Sequence, residues 1–343
     1  MTKARDIADN AGQGGGEVAN LIINGDMAVS QRGTSETGIT STEYANAPDR
    51  YELALNLLGT WTASQSTTAP DGFSNSYKLE CTTADASPSA NDYFLFRQKI
   101  EGQNLQVLGS GSANAKKHTL SFWVRSSKTG TYNCEITHDD GGVFNSIQYT
   151  IDTADTWERK TLTFDGYQTT AIANDNTTGY RVGWWLGAGS AFTTGTHNSN
   201  TWHSTAADRA VGNVNLADST SNDWYITGVS LVVGDSAPST HPYESYAENL
   251  ERCQRYYQQL NVPQDYSDSD NNALIYRGYY LPVIMRADGT ASVVTQVRYF
   301  SGGAGANVTP TLSAYTDNIR IRATGLSTGR GYVDGVIALD AEL

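Results

Sequence analysis

Hydrophobic and polar side chains alternate in short runs along most of the chain between residues 21 and 233. A period of two places successive side chains on opposite faces of a strand, so its repetition predicts half-buried antiparallel strands. Asp-Gly pairs between the runs are typical of tight turns. Two sheets packed as a jelly-roll sandwich would bury the hydrophobic faces. The clearest runs have core-facing residues at Phe94 and Phe96, at Leu120, Phe122 and Val124, at Leu162 and Phe164, and at Val182, Trp184 and Leu186.

The hydrophobic period changes to that of a helix over residues 244–260. A helix of about 16 residues is marginal alone in water, so it is expected to pack on its neighbours. We predict that residues 241–262 connect a sandwich over residues 20–240 to a small C-terminal β domain over residues 263–343. Such a small domain is expected to gain stability by assembling with other copies. The helical stripe consists of Ala247, Leu250, Cys253, Tyr257 and Leu260.

Residues 1–19 are predicted to form an attachment peptide followed by a Gly-rich linker. Residues 2–9 (TKARDIAD) fit two helical turns, and residues 12–16 (GQGGG) supply a flexible connection. A short peptide ahead of a flexible linker suits docking on another protein. A disordered terminus fits the same residues equally well, and both interpretations stay open.

The charge content narrows the range of expected partners. Only 17% of residues are charged, and 36 acidic residues against 23 basic ones give a net charge of −13. Such a field repels nucleic acid and anionic membranes. The sequence also contains no apolar run of about 18 residues and no signal-peptide pattern. We therefore predict no nucleic-acid partner and no membrane insertion.

The cysteines and histidines show no metal-ligand spacing. Cys81, Cys134 and Cys253 are far apart and odd in number, which favours buried reduced thiols over a disulfide framework. Reduced thiols agree with folding in a reducing cytoplasm. His197 and His203 do not fit a zinc pattern, so no metal ligand is assigned. A structural calcium ion in the sandwich stays open, with no ligand set that the sequence identifies.

The sequence does not support catalysis. Neither a P-loop nor an HExxH pattern occurs. Asp139 and Asp140 are adjacent in a predicted turn, where their side chains project apart and give no acid–base pair. We predict that the chain is not an enzyme.

Aromatic and arginine side chains on the strand faces opposite the core are candidates for sugar binding. Flat rings stack on pyranose rings, and planar polar groups bind the hydroxyls. The alternative is that loops or the second domain cover these rings as a secondary core, since large aromatic side chains are usually buried. The candidates are Trp123 with Arg125, Trp185 with Arg181, and Trp224.

A stretch of little periodicity covers residues 187–222. Loops of that length inside a compact domain are usually functional or disordered. Trp202 within this stretch is the strongest single candidate for contact with a ligand or partner, and His203 lies next to it.

Several segments, taken in order, resemble the appendage proteins of tailed phages, namely tail-fibre, head-fibre and decoration subunits. The likeness covers most of residues 20–290, with Tyr51 where the family usually has Trp. The segments are LIINGDM at 21–27 with QRG at 31–33, APDRY at 47–51, SFWVRSSKTGTY at 121–132, ADTWERK at 154–160, the stretches 219–234 and 244–257, and LPVIMR at 281–286.

The resemblance implies a carbohydrate-binding sandwich of galactose-binding-like jelly-roll type, without shared catalytic residues. It also implies a virion protein that assembles in the host cytoplasm and docks on other virion proteins through its N-terminal segment. We therefore predict a non-enzymatic, homotrimeric fibre or decoration subunit that binds host-surface glycan. Two alternatives stay open. One is a carbohydrate-binding module of a polysaccharide-degrading system, and the other is a depolymerase of host capsule.

Overall fold

The chain folds almost entirely into antiparallel β-strands, which confirms the predicted all-β class. A computed structural model describes residues 19–261, 264–268, 273–301, 304–307, 310–326 and 329–343. Of the attachment peptide and linker predicted over residues 1–19, residues 1–18 lie outside the described residues. In the described part of the chain, no helix is long and apolar enough to cross a membrane.

Ten strands and one helical turn, α1 at Ser190–Thr193, build the sandwich. The strands are β1 Ser35–Glu43, β2 Tyr51–Ser66, β3 Ser76–Thr83, β4 Tyr93–Glu101, β5 His118–Ser126, β6 Gly130–His138, β7 Val143–Ile151, β8 Glu158–Phe164, β9 Thr178–Ala188 and β10 Asp223–Val233.

Strand β2 belongs to both layers of the sandwich. Residues 51–56 pair with β4, and residues 60–66 pair with β3. Between these halves, Leu57 and Gly59 adopt left-handed φ angles of 53° and 73°, which interrupt the strand geometry. The first sheet therefore has the order β7-β6-β9-β4-β2, and the second has the order β2-β3-β10-β5-β8. Strand β1 pairs along β2 with several register shifts.

Aromatic rings from the two sheets meet in the core between them. Phe96 on β4 lies edge-on to Trp224 on β10 with ring centroids 5.4 Å apart, and Phe122 on β5 meets Trp184 on β9 at 5.5 Å. Such edge-to-face contacts stabilise the fold beyond area burial alone. The core-facing residues that the alternation predicts on β4, β5, β8 and β9 are all buried, which confirms the jelly-roll type of sandwich. Three cysteines are buried free thiols: Cys81, Cys134 and Cys253.

The predicted outward position of Trp224 is wrong, because this side chain is 0% exposed and lies in the core. A β-bulge explains the difference. The pairing of β10 with β5 shifts register between Thr227 and Ser230, and Gly228 within the shift has a φ of 61°. The extra residue changes which side chains face the core. Trp224 and Val229 therefore point the same way despite their odd separation in the sequence.

The C-terminal part of the chain forms two further sheets. Their strands are β11 Tyr257–Asn261, β12 Gln264–Asp268, β13 Ala273–Tyr280, β14 Thr290–Ser301, β15 Ala304–Asn307, β16 Thr311–Ala314, β17 Asn318–Leu326 and β18 Gly329–Asp340.

In one of these sheets, β18 pairs with β11, β12 and β14, and β14 pairs with β15; the other sheet has the order β13-β17-β16. The residues buried together in this part of the chain are Met285, Ile319, Ile321, Ile337 and Leu339.

The connecting helix is shorter than the hydrophobic pattern predicts. Helix α2 covers Tyr246–Gln254, and its N-cap Ser245 forms a capping box with Glu248. The predicted stripe continues to Leu260, but Tyr257–Asn261 forms β11 on the edge of β18. Pairing with a neighbouring strand satisfies the backbone there and overrides the local helical pattern.

A buried arginine joins the sandwich to the residues that follow β18. Arg50 is 1% exposed, and its guanidinium forms an ion pair with Glu342. The same group donates to the backbone oxygen of Lys99 at 2.9 Å and lies 3.3 Å from the ring centroid of Tyr256. The side chain of Glu342 is only 4% exposed, and its other carboxylate oxygen lies 3.4 Å from Nη1 of Arg32, so two arginines compensate one buried carboxylate.

Three of the segments that carry the family resemblance, residues 21–27, 47–51 and 244–257, meet beside Arg50. Asn24 has a φ of 57°, and its Nδ2 donates to the backbone oxygens of Val29 at 2.8 Å and Asp49 at 3.0 Å. The backbone N–H of Asn24 donates to Oδ1 of Asn249 on α2 at 3.0 Å. These segments are therefore bonded to one another, and in this fold they hold the junction between the sandwich and α2.

Replacing Arg50 by Met is expected to lower the free energy of unfolding by about 1.5–3 kcal/mol, because Oε2 of Glu342 loses its arginine partner and the carboxylate keeps only the longer contact of 3.4 Å with Arg32. Urea unfolding followed by circular dichroism measures the loss. Arg125→Met is the matched control, since Arg125 pairs with the exposed Asp155 and its removal should cost about 0–1 kcal/mol. Equal losses in the two variants would contradict the role of Arg50.

Stability is expected to fall in acid partly through His118. Burial lowers the pKa of His118 to about 4 from 6.5, although the backbone oxygen of Lys116 and the charge of Asp165 oppose the shift. As the pH falls, the unfolded chain therefore protonates His118 before the folded chain does. The contribution of the neutral His118 to the free energy of unfolding is complete above pH 6.5 and is lost as the pH falls toward 4. Across this interval, the urea midpoint should fall more steeply for the wild type than for His118→Phe. Parallel curves would contradict the expectation.

Candidate functional site

The predicted binding residues do not lie on one surface, because β5 and β9 belong to different sheets. Arg181 and Trp185 lie on the outer face of the first sheet, Trp123 and Arg125 on the outer face of the second, and Trp224 in the core, while Trp202 and His203 lie on the loop between β9 and β10.

The loop at residues 189–216 folds back over the outer face of the first sheet and covers Trp185. This side chain is 1% exposed, and its ring centroid lies 5.3 Å from that of Phe192 on the loop. Its Nε1 donates to the carboxylate of Glu135 at 3.3 Å. The alternative stated from the sequence, a secondary core under a loop, therefore applies to Trp185.

A buried ion pair anchors this loop to the sheet. Nε and Nη2 of Arg209 donate to the two carboxylate oxygens of Glu135 at 2.9 and 2.6 Å, and Glu135 is itself buried. The guanidinium also lies 3.9 Å from the ring centroid of Phe144 and 5.0 Å from that of Trp185. Two parallel bonds fix the plane of the guanidinium as well as its position, so they hold the covering loop in one place on the sheet.

Trp202 closes one edge of the sandwich. Its Nε1 donates to the backbone oxygen of Asp165 at 2.8 Å, and its ring packs 5.3 Å from Tyr167 and 6.1 Å from His138. The side chain is half-buried and packs against the main core. This position indicates packing rather than ligand contact for the strongest single candidate of the sequence analysis.

His203 forms an isolated backbone bridge with Phe144 on β7. Both of its ring nitrogens are buried and have no hydrogen-bond partner among the described residues. Burial lowers the pKa of the neighbouring His197, and the charge of His203 lowers it further. Within the described ranges, no group of three or more His, Cys, Asp or Glu side chains could hold a metal ion.

An open groove remains beside the covering loop, on the outer face of the first sheet. Its volume is about 470 Å³, within the range of roughly 300–1,000 Å³ that is usual for ligand pockets. Strand β4 contributes Tyr93, Leu95 and Arg97, β9 contributes Arg181, and Asp139 follows β6. We call this feature the sheet groove.

Ion pairs hold the charged side chains of the sheet groove in place. Nε of Arg181 lies 3.0 Å from the carboxylate of Asp139, and the Arg181 side chain remains 37% exposed. Burial raises the pKa of Asp139, while the charge of Arg181 opposes this shift. Burial also opposes ionisation of Glu52, but Arg97 and Lys99 outweigh it and hold the pKa of Glu52 below its usual value. The guanidinium planes are therefore oriented before any ligand arrives.

The sheet groove can bind a hydroxyl-rich ligand. The half-buried ring of Tyr93 is supported edge-on by Phe192 at 5.6 Å, so it offers a fixed apolar surface. The guanidinium groups of Arg97 and Arg181 supply planar donors near it, and the carboxylate of Asp139 supplies acceptors. These are the groups that stack on a sugar ring and bind its hydroxyls.

Sequence reasoning missed Tyr93, Arg97 and Arg209. For the first two a signal was present, because they alternate with the core residues Phe94 and Phe96 and so face outward. No comparable signal marks Arg209, since its position depends on a tertiary contact between the loop and Glu135.

No protein-family model matches the sequence. No curated protein matches it either.

Solved carbohydrate-binding modules and a phage tailspike domain are among the structures to which the chain is similar. A family 11 carbohydrate-binding module from Clostridium thermocellum, in complex with a β-1,3-1,4-mixed-linked tetrasaccharide, is 7% identical with a TM-score of 0.30, and the match covers 60% of this chain and 99% of that one. For the C-terminal family 22 module of a Clostridium thermocellum protein, the identity is 10%, the TM-score 0.29, and the coverage 61% and 98%.

The enzymatically active domain of tailspike protein 4 from bacteriophage CBA120 is 14% identical, with a TM-score of 0.31. The match covers 62% of this chain but only 21% of the tailspike chain, so this chain spans about a fifth of that length.

Proposed function

We propose that this protein binds glycan in the sheet groove. The observation that carries the proposal is the combination of the Tyr93 ring with Arg97 and Arg181, whose guanidinium groups are already held by carboxylates. Because these side chains are restrained, binding immobilises few additional rotamers. The charges of the arginines are largely balanced by Glu52 and Asp139, so hydroxyl recognition rather than ion binding is the main interaction.

The biological setting that we propose is a phage particle, in which the chain is a non-enzymatic fibre or decoration subunit on the virion. The ordered sequence segments between residues 20 and 290 support this setting. In the same proposal, residues 1–19 dock on other virion proteins, and the sheet groove contacts the host-surface glycan. Several copies on one particle would convert weak single contacts into useful avidity.

Replacing Arg181 or Tyr93 by Ala should weaken glycan binding by about tenfold or more, the equivalent of about 1.4 kcal/mol. Labelled full-length protein on an array of bacterial surface polysaccharides measures this, with bound polysaccharide titrated afterwards. Lys117→Ala is the control, because Lys117 is exposed and lies outside the groove lining.

Wild-type binding by both groove variants would contradict the site, and absence of binding by the wild type would contradict the function. Release of reducing sugar from the bound polysaccharide would overturn the non-enzymatic part of the proposal and favour the capsule depolymerase.

Self-association is part of the same proposal, with the homotrimer as the expected state. Large hydrophobic side chains stay exposed on the C-terminal strands and the segments between them, which is typical of surfaces that assemble. They are Tyr280, Ile284, Val293, Val294 and Tyr315, with exposed fractions between 36% and 85%.

Light scattering of the purified full-length protein should give about three times the chain mass of 37.0 kDa. Replacing Ile284 by Glu should shift the mass toward one chain, because a charge buried in an assembled surface is unfavourable. Leu57→Glu is the matched control, since Leu57 is equally exposed but lies on the sandwich. A wild-type monomer, or equal effects of the two substitutions, would contradict the expectation.

A further inference from the structure

A second concave site lies on the outer face of the second sheet, away from the sheet groove. Its volume is about 560 Å³, and its lining includes Trp123 on β5 and Arg159 on β8, which are paired across the two strands. The turn at residues 71–75, residues 239–244 ahead of α2, and Asp26 form the other walls. We call this site the Trp123 pocket.

The β-bulge in β10 shapes the Trp123 pocket. Gly228 has a φ of 61°, and the Phe73 ring lies directly against it, since a Cβ at this position would be 2.6 Å from the ring. His241 continues the wall, with its ring edge-on to Phe73 at 5.5 Å. The bulge that directs Trp224 into the core therefore also leaves room for the Phe73 ring on the outer face of the sheet.

Hydrogen bonds within the protein hold the polar groups of this pocket. Oδ1 of Asp26 accepts from Nδ2 of Asn249 at 2.9 Å and from the backbone N–H of Ala28 at 3.3 Å. Nη2 of Arg159 donates to the backbone oxygen of Pro238 at 2.5 Å. A ligand therefore meets a carboxylate and a guanidinium whose orientations are already restricted.

His241 adds an uncharged polar group to the lining. Burial lowers the pKa of His241 and Arg159 reinforces the shift, while Asp26 and a backbone hydrogen bond with Gly228 oppose it, so the neutral form is favoured. Its Nδ1 is buried and is among the polar atoms without a hydrogen-bond partner in the described part of the chain. Because buried polar atoms are normally satisfied, this nitrogen leaves hydrogen-bonding capacity unused in the pocket wall.

We propose that the Trp123 pocket is a second saccharide site, which takes one or two uncharged hexose units. The half-buried indole of Trp123 supplies the stacking face, and Asp26 and Arg159 bind the ring hydroxyls. The lining carries three carboxylates, Asp26, Asp71 and Glu244, against the one guanidinium of Arg159, so it disfavours acidic sugars and suits an uncharged, hydroxyl-rich ligand.

The two sites lie on opposite outer faces of one sandwich, so a single chain can engage two glycan segments at once. Neither site shares a lining residue with the other. Substitutions can therefore change one site without the other, and the proposal for the Trp123 pocket does not depend on the proposal for the sheet groove.

Indole N–H signals of the ¹⁵N-labelled full-length protein test the proposal, with D-galactose, D-glucose, D-mannose and N-acetyl-D-glucosamine as probes at millimolar concentration. Trp123→Phe assigns the Trp123 signal by its disappearance. We expect at least one probe to shift this signal in a saturable manner. No saturable shift with any of the four sugars would overturn the proposal.

Arg159→Ala and Arg125→Ala form a matched pair, because both arginines belong to the second sheet but only Arg159 lines the pocket. Arg159→Ala should weaken the sugar affinity by about tenfold, and Arg125→Ala should leave it unchanged. Equal affinities in these two variants would also overturn the proposal. Tyr93→Ala should not alter the Trp123 response, so failure of the sheet groove and failure of this pocket give different results.

Discussion

The architecture depends on the interruption of β2 at Leu57 and Gly59. The strand changes partner there from β4 to β3, so one continuous strand belongs to both sheets and joins them along one edge of the aromatic core. The outer faces of the two sheets consequently point in opposite directions. This constraint explains why the tryptophan–arginine pairs on β5 and on β9, although both alternate with core residues, lie on separate surfaces.

The motifs that give the sequence its family resemblance are mainly fold-forming. Asn24, Asp49 and Asn249 are joined by hydrogen bonds in the buried junction, and Arg50 completes it with Glu342 and Tyr256. Few residue types other than Asn and Gly adopt a left-handed backbone conformation readily, and a buried guanidinium requires an acidic partner. The junction therefore restricts which residue types can occupy these positions. The side chains of the sheet groove lie outside these motifs, whereas Asp26, Trp123 and Arg159 of the Trp123 pocket lie within them. The resemblance therefore covers the scaffold and one of the two candidate sites.

The alternating pattern predicted the strands and most of the core, because a half-buried strand leaves a local signature. It failed for Trp224, since the bulge at Gly228 changes the direction of side chains without changing the hydrophobic composition. It also failed for the end of α2, where pairing of β11 with β18 overrides helical spacing. Phe192, which covers Trp185, follows it by only seven residues, but the loop that carries Phe192 is fixed by Arg209. Arg209 binds Glu135 across 74 residues of sequence, and no local pattern encodes that contact.

Both candidate sites place their aromatic rings and arginines on strands and fix their charged groups by internal bonds. Arg181 is held by Asp139, and Asp26 is held by Asn249, so little conformational freedom remains to be lost on binding. Each sugar hydroxyl nevertheless exchanges a hydrogen bond to water for one to protein, with a net gain of only about 0.5–1.5 kcal/mol. Rigid sites of this kind therefore select by geometry while each remains weak, and useful affinity must come from the number of sites that act together. In the proposed assembly, two faces on each sandwich would supply that number.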